Sequence, residues 1–286
     1  MWLDRFRRKK VQHIFIYQCG KVGSSTLTAT LKESAPALDI VQLHFMTPGY
    51  LKFFSDFIKA PGTPPAYAGS TQKLIDHGRK VRELLDQTPP SEVCIISGFR
   101  DPLDRAISAL AQDFQHLYPE LTFTAEKRQE EMCFVADEIE DLVEGTISGR
   151  PCEDFRTRQG VWQTVTCCLD WFDEEFGPAL GVNMQKLNIG SKDLIQFRSK
   201  GRLCLLYRFE TFQDTLPRLV NQLPIAEYRE VGKNVSAQKV YGDFLRDFRK
   251  WYRPTRRVWD FYYTSPFYRQ FYRAATPAFS CRDDGR

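Results

Sequence analysis

The chain has 286 residues, 42% hydrophobic and 14% aromatic, enough for one large α/β domain or two small ones, which argues against intrinsic disorder. A formal net charge of +4 suits anionic ligands but falls short of the strong, clustered basic face expected of nucleic-acid binding. No run of about eighteen apolar residues occurs, so no transmembrane segment is expected.

The opening MWLDRFRRKK is basic and lacks the apolar core of a signal peptide; residues 1–10 read as a solvated tail that admits peripheral contact with a membrane surface. Residues 11–17 are short, apolar and β-branched, the pattern of a buried strand. Residues 18–23 make a tight turn with two glycines and Lys21, and a helix begins at Ser24, Ser25 and Thr26, continues through Leu27 and Leu31, and stops at Pro36. Residues 37–45 read as a second strand, with Val41, Leu43 and Phe45 on one face and Gln42 and His44 on the other. Pro48 opens a short helix through Lys59, and residues 61–70 form a loop placed to cover a site. An amphipathic basic helix over residues 71–86 ends before Pro89 and Pro90.

Residues 92–99 are almost continuously apolar, as a central parallel strand should be, and are followed by Arg100 and a helix over residues 103–117. Residues 124–176 read as helical, first acidic and then rich in aromatics, with Gly177-Pro178 as the break. Further strands are expected over residues 182–187 and 202–207, a helix over 209–222, a turn over 232–237 and a helix over 237–251. Residues 252–286 form an aromatic and basic C-terminal segment. No repeat or linker stands out, so residues 1–286 are expected to form a single domain with a central parallel sheet flanked by helices. The eight cysteines lack CxxC spacing, and His13, His77 and His116 are dispersed, so free thiols, a reducing cytoplasmic setting and no metal are expected.

Chemistry concentrates at the first turn. A strand, a glycine-containing turn and a hydroxyl-rich helix start build an anion site, because the helix N-terminus offers unpaired N–H groups and a positive dipole end, to which Lys21 adds a full charge. The nucleotide triphosphatase loop GxxxxGK[ST] does not fit, since Lys21 precedes the second glycine, Gly23. A Gly/Ser turn joining any strand to any helix is the plain alternative. A second constellation lies at residues 99–110, FRDPLDRAISAL, where Arg100 supplies a planar fork for a phosphate and Ser108, two turns into the helix, a hydroxyl. Asp101 and Asp104 read as helix caps or as groups that orient Arg100.

The order Lys-x-Gly-Ser-Ser-Thr resembles the 5′-phosphosulfate loop of sulfotransferases that use 3′-phosphoadenosine 5′-phosphosulfate (PAPS), and the Arg100–Ser108 element resembles their 3′-phosphate grip. With LHF around His44, residues 171–181, LLYRFETFQDTLPRLVNQL, KNVSAQKVYGDFL and YTSPFYRQFYR, most of the chain is similar to the bacterial sulfotransferase-like capsular polysaccharide synthesis family. That resemblance implies a P-loop-related fold and sulfuryl transfer from PAPS, without a metal, to a hydroxyl of a carbohydrate or polysaccharide. It implies donor contacts from Lys21, Gly23, Ser24, Ser25, Thr26, Arg100 and Ser108, with Lys233 and Asn234 as the counterpart of a later basic turn whose arginine is missing here. Lys21 would neutralise the leaving phosphate. His44 is the candidate base, although a histidine satisfied by neighbouring backbone reads equally well; Glu33, Asp113 and Glu210 are weaker substitutes. An ATP-dependent small-molecule kinase and a non-catalytic nucleotide- or glycan-binding module remain as alternatives.

Overall fold

The computed structural model describes residues 11–232, 241–273 and 275–282. Five strands, β1 (His13–Tyr17), β2 (Asp39–Leu43), β3 (Val93–Phe99), β4 (Leu194–Ser199) and β5 (Arg202–Arg208), form one sheet in the order β2-β1-β3-β5-β4. All neighbouring pairs are parallel except β4 with β5, so the α/β class expected from the sequence holds, with a mixed sheet in place of a wholly parallel one. Among the described residues no helix is long and apolar enough to cross a membrane.

The chain divides into two compact units. The first is the described part of Met1–Asp56, Gly69–Arg100 and Phe172–Asn234 and contains the sheet. One sheet face buries Ile14, Ile16, Cys94, Ile96, Leu203 and Leu205 against Leu27 and Leu31 of α1 (Ser24–Ser34) and against Leu216 and Leu219 of a later helix, Phe212–Val220. β3 is buried at every position, which is why it reads as an almost continuous apolar run. On the other face Tyr17 stacks on Phe176 at 5.7 Å.

Three local readings need correction. The segment at residues 61–70 is not all loop, because α3 begins at Pro65 after α2 (Pro48–Phe57) and runs Pro65–Gln87. Proline suits the first turn of a helix, where its missing N–H is not needed, and the Ala68 N–H donates to the Pro64 carbonyl at 2.9 Å. Gly177-Pro178 does not break the aromatic segment: a π turn over Phe172–Phe176 passes straight into a helical turn, Gly177–Leu180. The wide turn brings backbone close, since a Cβ on Gly177 would lie 3.0 Å from the Phe172 carbonyl oxygen and 2.8 Å from that of Val182. Residues 182–187 are not a strand but contain a 3₁₀ turn, Met184–Lys186. Their amides are spent locally, Val182 on the Gly177 carbonyl and Leu187 on that of Met184, so they cannot serve a ladder. The strand lies later, as β4, joined to β5 by Lys200 and Gly201, both at positive φ (46° and 85°), the signature of a two-residue hairpin turn.

The second unit is the described part of Phe57–Ala68, Asp101–Trp171 and Val235–Arg286. It is helical: α4 (Pro102–Leu117), α5 (Arg128–Ile147), Phe155–Val161 leading into a π turn at Trp162–Thr166, Gly242–Trp251, Arg256–Tyr263 and Pro266–Phe271. Asp101 caps α4, accepting from the Asp104 N–H at 3.0 Å, and also accepts from the Tyr263 hydroxyl and the Ala278 N–H. The helix expected over residues 237–251 is described from Gly242 onward.

A buried carboxylate ties the carboxyl ends of β1 and β2 together. Glu175 accepts from the Tyr17 hydroxyl at 2.5 Å, from the Met46 and Thr47 N–H groups at 2.5 and 3.0 Å, and from the Thr47 hydroxyl. Burial raises its pKa above 4.5, opposed by those hydrogen bonds. A carboxyl whose folded pKa is raised stabilises the fold fully below the unfolded value and loses that contribution as pH climbs through the folded one. Glu175→Gln keeps an acceptor for the backbone donors, so its melting temperature should gain on that of the native protein as pH rises above 4.5. Glu175→Leu orphans the same donors and should cost about 3 kcal/mol or more in urea denaturation.

Candidate functional site

From β1 the chain crosses to β2 on one side, then returns past β1 to β3 on the other, so strand order reverses between β1 and β3. Ligands of open α/β sheets bind at the carboxyl ends of strands flanking such a reversal. Ile16 pairs with Ile96 across that boundary, which makes the segments after β1 and β3 neighbours. They carry Lys21 and Arg100.

The turn after β1 has an unusual backbone: Gly20, Lys21 and Gly23 lie at φ of 90°, 63° and 82°. A non-glycine residue in that region costs roughly 1 kcal/mol, so something must hold Lys21 there. The carbonyls of the turn are held from several directions. Arg100 Nη1 donates to the Lys21 carbonyl at 2.8 Å, the Tyr207 hydroxyl to that of Val22 at 2.6 Å, and the Leu27 N–H to that of Gly23 at 3.0 Å. His44 Nδ1 lies 2.9 Å from the Gln18 carbonyl. In a planar trans peptide the N–H points opposite to its carbonyl. Fixing the Lys21 and Val22 carbonyls therefore turns the Val22 and Gly23 N–H groups the other way, as an anion-binding nest requires.

Gly23 is also the N-cap of α1, and it offers no side-chain acceptor to the first turn, whose amides have no intrahelical partners. Ser24 is 7% exposed; its Oγ accepts from Gln42 Nε2 at 3.1 Å, so its own O–H proton is directed elsewhere. Gln42 also accepts from the Thr28 hydroxyl at 3.0 Å. Ser25 and Thr26 are half-buried in the same turn. Gln18 is fully buried: its Oε1 accepts from the Gly20 N–H at 2.7 Å, while its Nε2 has no hydrogen-bond partner among the described residues. Such a donor favours negative charge beside it.

For His44 the backbone-satisfied arrangement is the one found, and it fixes the tautomer of the ring. A carbonyl only accepts, so Nδ1 carries the proton and the lone pair of the neutral ring lies on Nε2, the tautomer a base needs. Arg100 lies over the Phe209 ring at 4.3 Å, and that ring packs on Gly23, where a Cβ would stand 3.3 Å from it.

The structure thus brings Lys21, Gly23, Ser24, Ser25, Thr26, His44 and Arg100 to one region of the first unit. Ser108 belongs to the second unit, where it is 2% exposed and its Oγ accepts from Arg249 Nη2 at 2.6 Å; Arg249 Nε also donates to Asp104 at 2.6 Å. The hydroxyl expected to grip a phosphate directly is thus already engaged by an arginine. Lys233 and Asn234 lie outside the described residues. Just before them, the Arg229 N–H donates to Ser34 and the Val231 N–H to Thr30, which docks this segment along α1. Sequence reading missed Tyr207 and Phe209 as parts of the site. Gly98 was the available signal, since an isolated glycine in a strand marks close approach by another group.

No protein-family model, no curated protein and no solved structure matches the chain. Among the described residues no group of three or more His, Cys, Asp or Glu could hold a metal.

Gly23→Ala should cost about 1–2 kcal/mol in urea denaturation, because φ there is +82° and the new methyl presses on Phe209. Gly49→Ala, in the first turn of α2 with nothing within 4 Å of the added Cβ, should cost nothing measurable.

Proposed function

We propose that the protein is a PAPS-dependent sulfotransferase of the sulfotransferase-like, P-loop-related architecture, acting on a hydroxyl of a carbohydrate or polysaccharide. The observation that carries this reading is the 2.8 Å bond from Arg100 to the Lys21 carbonyl, which joins two cation-bearing strand ends at the point of strand reversal. A ligand with two phosphate groups suits two adjacent positive elements better than one with a single anionic end. The sequence order Lys-x-Gly-Ser-Ser-Thr then favours PAPS over ATP.

The bound donor supplies an activated sulfuryl group. Within the first unit, the Val22 and Gly23 amides, the start of α1 and the Ser24 hydroxyl hold the 5′-phosphate, while Lys21 balances the charge that grows on it. As the acceptor oxygen bonds to sulfur and the sulfur–phosphate oxygen bond breaks, the hydroxyl proton passes to His44 Nε2. Ser108 enters this reading from the sequence alone.

Thermal shift separates the rivals, since a ligand of the folded state raises the melting temperature by mass action. Adenosine 3′,5′-bisphosphate should raise it more than ATP or ATP with Mg²⁺. Lys21→Ala should lower transfer from PAPS to glycan acceptors by about 10²–10³-fold with the fold intact. Stabilisation by Mg²⁺-ATP alone would identify a kinase. Bisphosphate binding without transfer across a broad acceptor panel would identify a binding module, and no bisphosphate shift would end the proposal.

A further inference from the structure

We propose that Tyr207 is a positioning residue of the anion-binding turn: its hydroxyl, carried across Gly98, fixes the Val22–Gly23 peptide so that the Gly23 N–H faces the anion. The inference rests on reading the turn after β1 as a phosphate loop.

Tyr207 pairs with Gly98 in the β3–β5 ladder and is fully buried. Its ring occupies the space a side chain at 98 would fill; a Cβ there would lie 2.6 Å from the ring carbon bearing the hydroxyl. Only glycine lets the phenol cross β3 and reach the Val22 carbonyl, which it meets at 2.6 Å. Two strands are thus matched, one by giving up a side chain and the other by supplying a long one with a polar tip. Phe212 supports the ring from α1's side of the sheet, with centroids 5.1 Å apart. Burial pushes the Tyr207 pKa up, so the group stays a neutral donor at physiological pH.

Tyr207 is fully buried and its hydroxyl donates to the Val22 carbonyl, so its influence runs through the peptide it holds. Arg100 holds the preceding carbonyl, but it also brings charge. Tyr207 contributes orientation without charge, and its removal should alter the geometry of the loop selectively.

Tyr207→Phe in the full chain keeps the ring and deletes the donor. In the ligand-free protein, amide exchange over residues 18–24 should rise about tenfold while that of β3 is unchanged. Affinity for adenosine 3′,5′-bisphosphate should fall about tenfold, while that for adenosine 3′-monophosphate, which lacks the 5′ group, should not move. Gly98→Ala, which displaces the same ring from the neighbouring strand, should show the same selective loss and serves if Tyr207→Phe is poorly folded. Unchanged exchange over the turn overturns the proposal, as do affinities for the two nucleotides that both hold or fall equally. If the native protein binds neither nucleotide, the sulfotransferase reading fails, and exchange alone decides whether Tyr207 fixes the turn.

Discussion

A backbone turn can present its N–H groups to an anion only if its carbonyls are held away, and in this protein two strands supply the hold. Arg100 at the end of β3 and Tyr207 near the end of β5 each donate to a carbonyl of the turn after β1. Keeping Lys21 at positive φ costs roughly 1 kcal/mol, and each such hydrogen bond returns about as much, more where the donor is charged. The turn is therefore stable because of the strands beside it. Strand order makes this possible, since β3 lies between β1 and β5 and gives up a side chain at Gly98 to let the phenol through.

The buried Glu175 does a related job beneath the turn. Where β2 ends, the Met46 and Thr47 amides have left the ladder and need acceptors inside the protein. One carboxylate serves both and also receives the Tyr17 hydroxyl, so the last residue of β1 and the segment after β2 are fixed to a single group. His44 lies between those anchors and bonds to Gln18, the first residue of the turn. Its ring orientation follows from the same strand-end geometry that shapes the turn after β1. A base held by backbone on one nitrogen keeps a defined tautomer, and for that reason the structural and chemical readings of His44 are compatible.

How far sequence reached depends on whether a signal was local. β1, β3 and β5 were legible because buried parallel strands read as apolar runs, and α1 because its glycine, its hydroxyls and the following proline all lie between Gly23 and Pro36. β4 was not, because an edge strand alternating Ile195, Gln196, Phe197 and Arg198 looks half polar, and Lys200-Gly201 is a weaker turn signal than Asn-Gly. The continuation through Gly177-Pro178 depended on a π turn that composition does not announce. Lys21 and Arg100 were visible as charges, yet their mutual contact was not, because it runs from a side chain to a backbone carbonyl. Tyr207 was hidden more deeply: its partner is again backbone, 185 residues away, and a tyrosine in an apolar strand reads as core.

Separating orientation from charge changes what Arg100 means. A guanidinium bonded to a loop carbonyl and stacked on Phe209 would act on an anion bound at the proposed site by two routes, the set of the peptide and its own field. The field is not small: at several ångström and an effective dielectric of about 20, a full charge contributes on the order of 2 kcal/mol. It also decays slowly enough that it would reach the second phosphate of the proposed donor. A neutral phenol has no such reach, so the effect of Tyr207 must be confined to the peptide it touches. One loop is thus set by a charged donor and an uncharged one on successive carbonyls. The contrast lets positioning and electrostatic attraction be measured separately within the same turn.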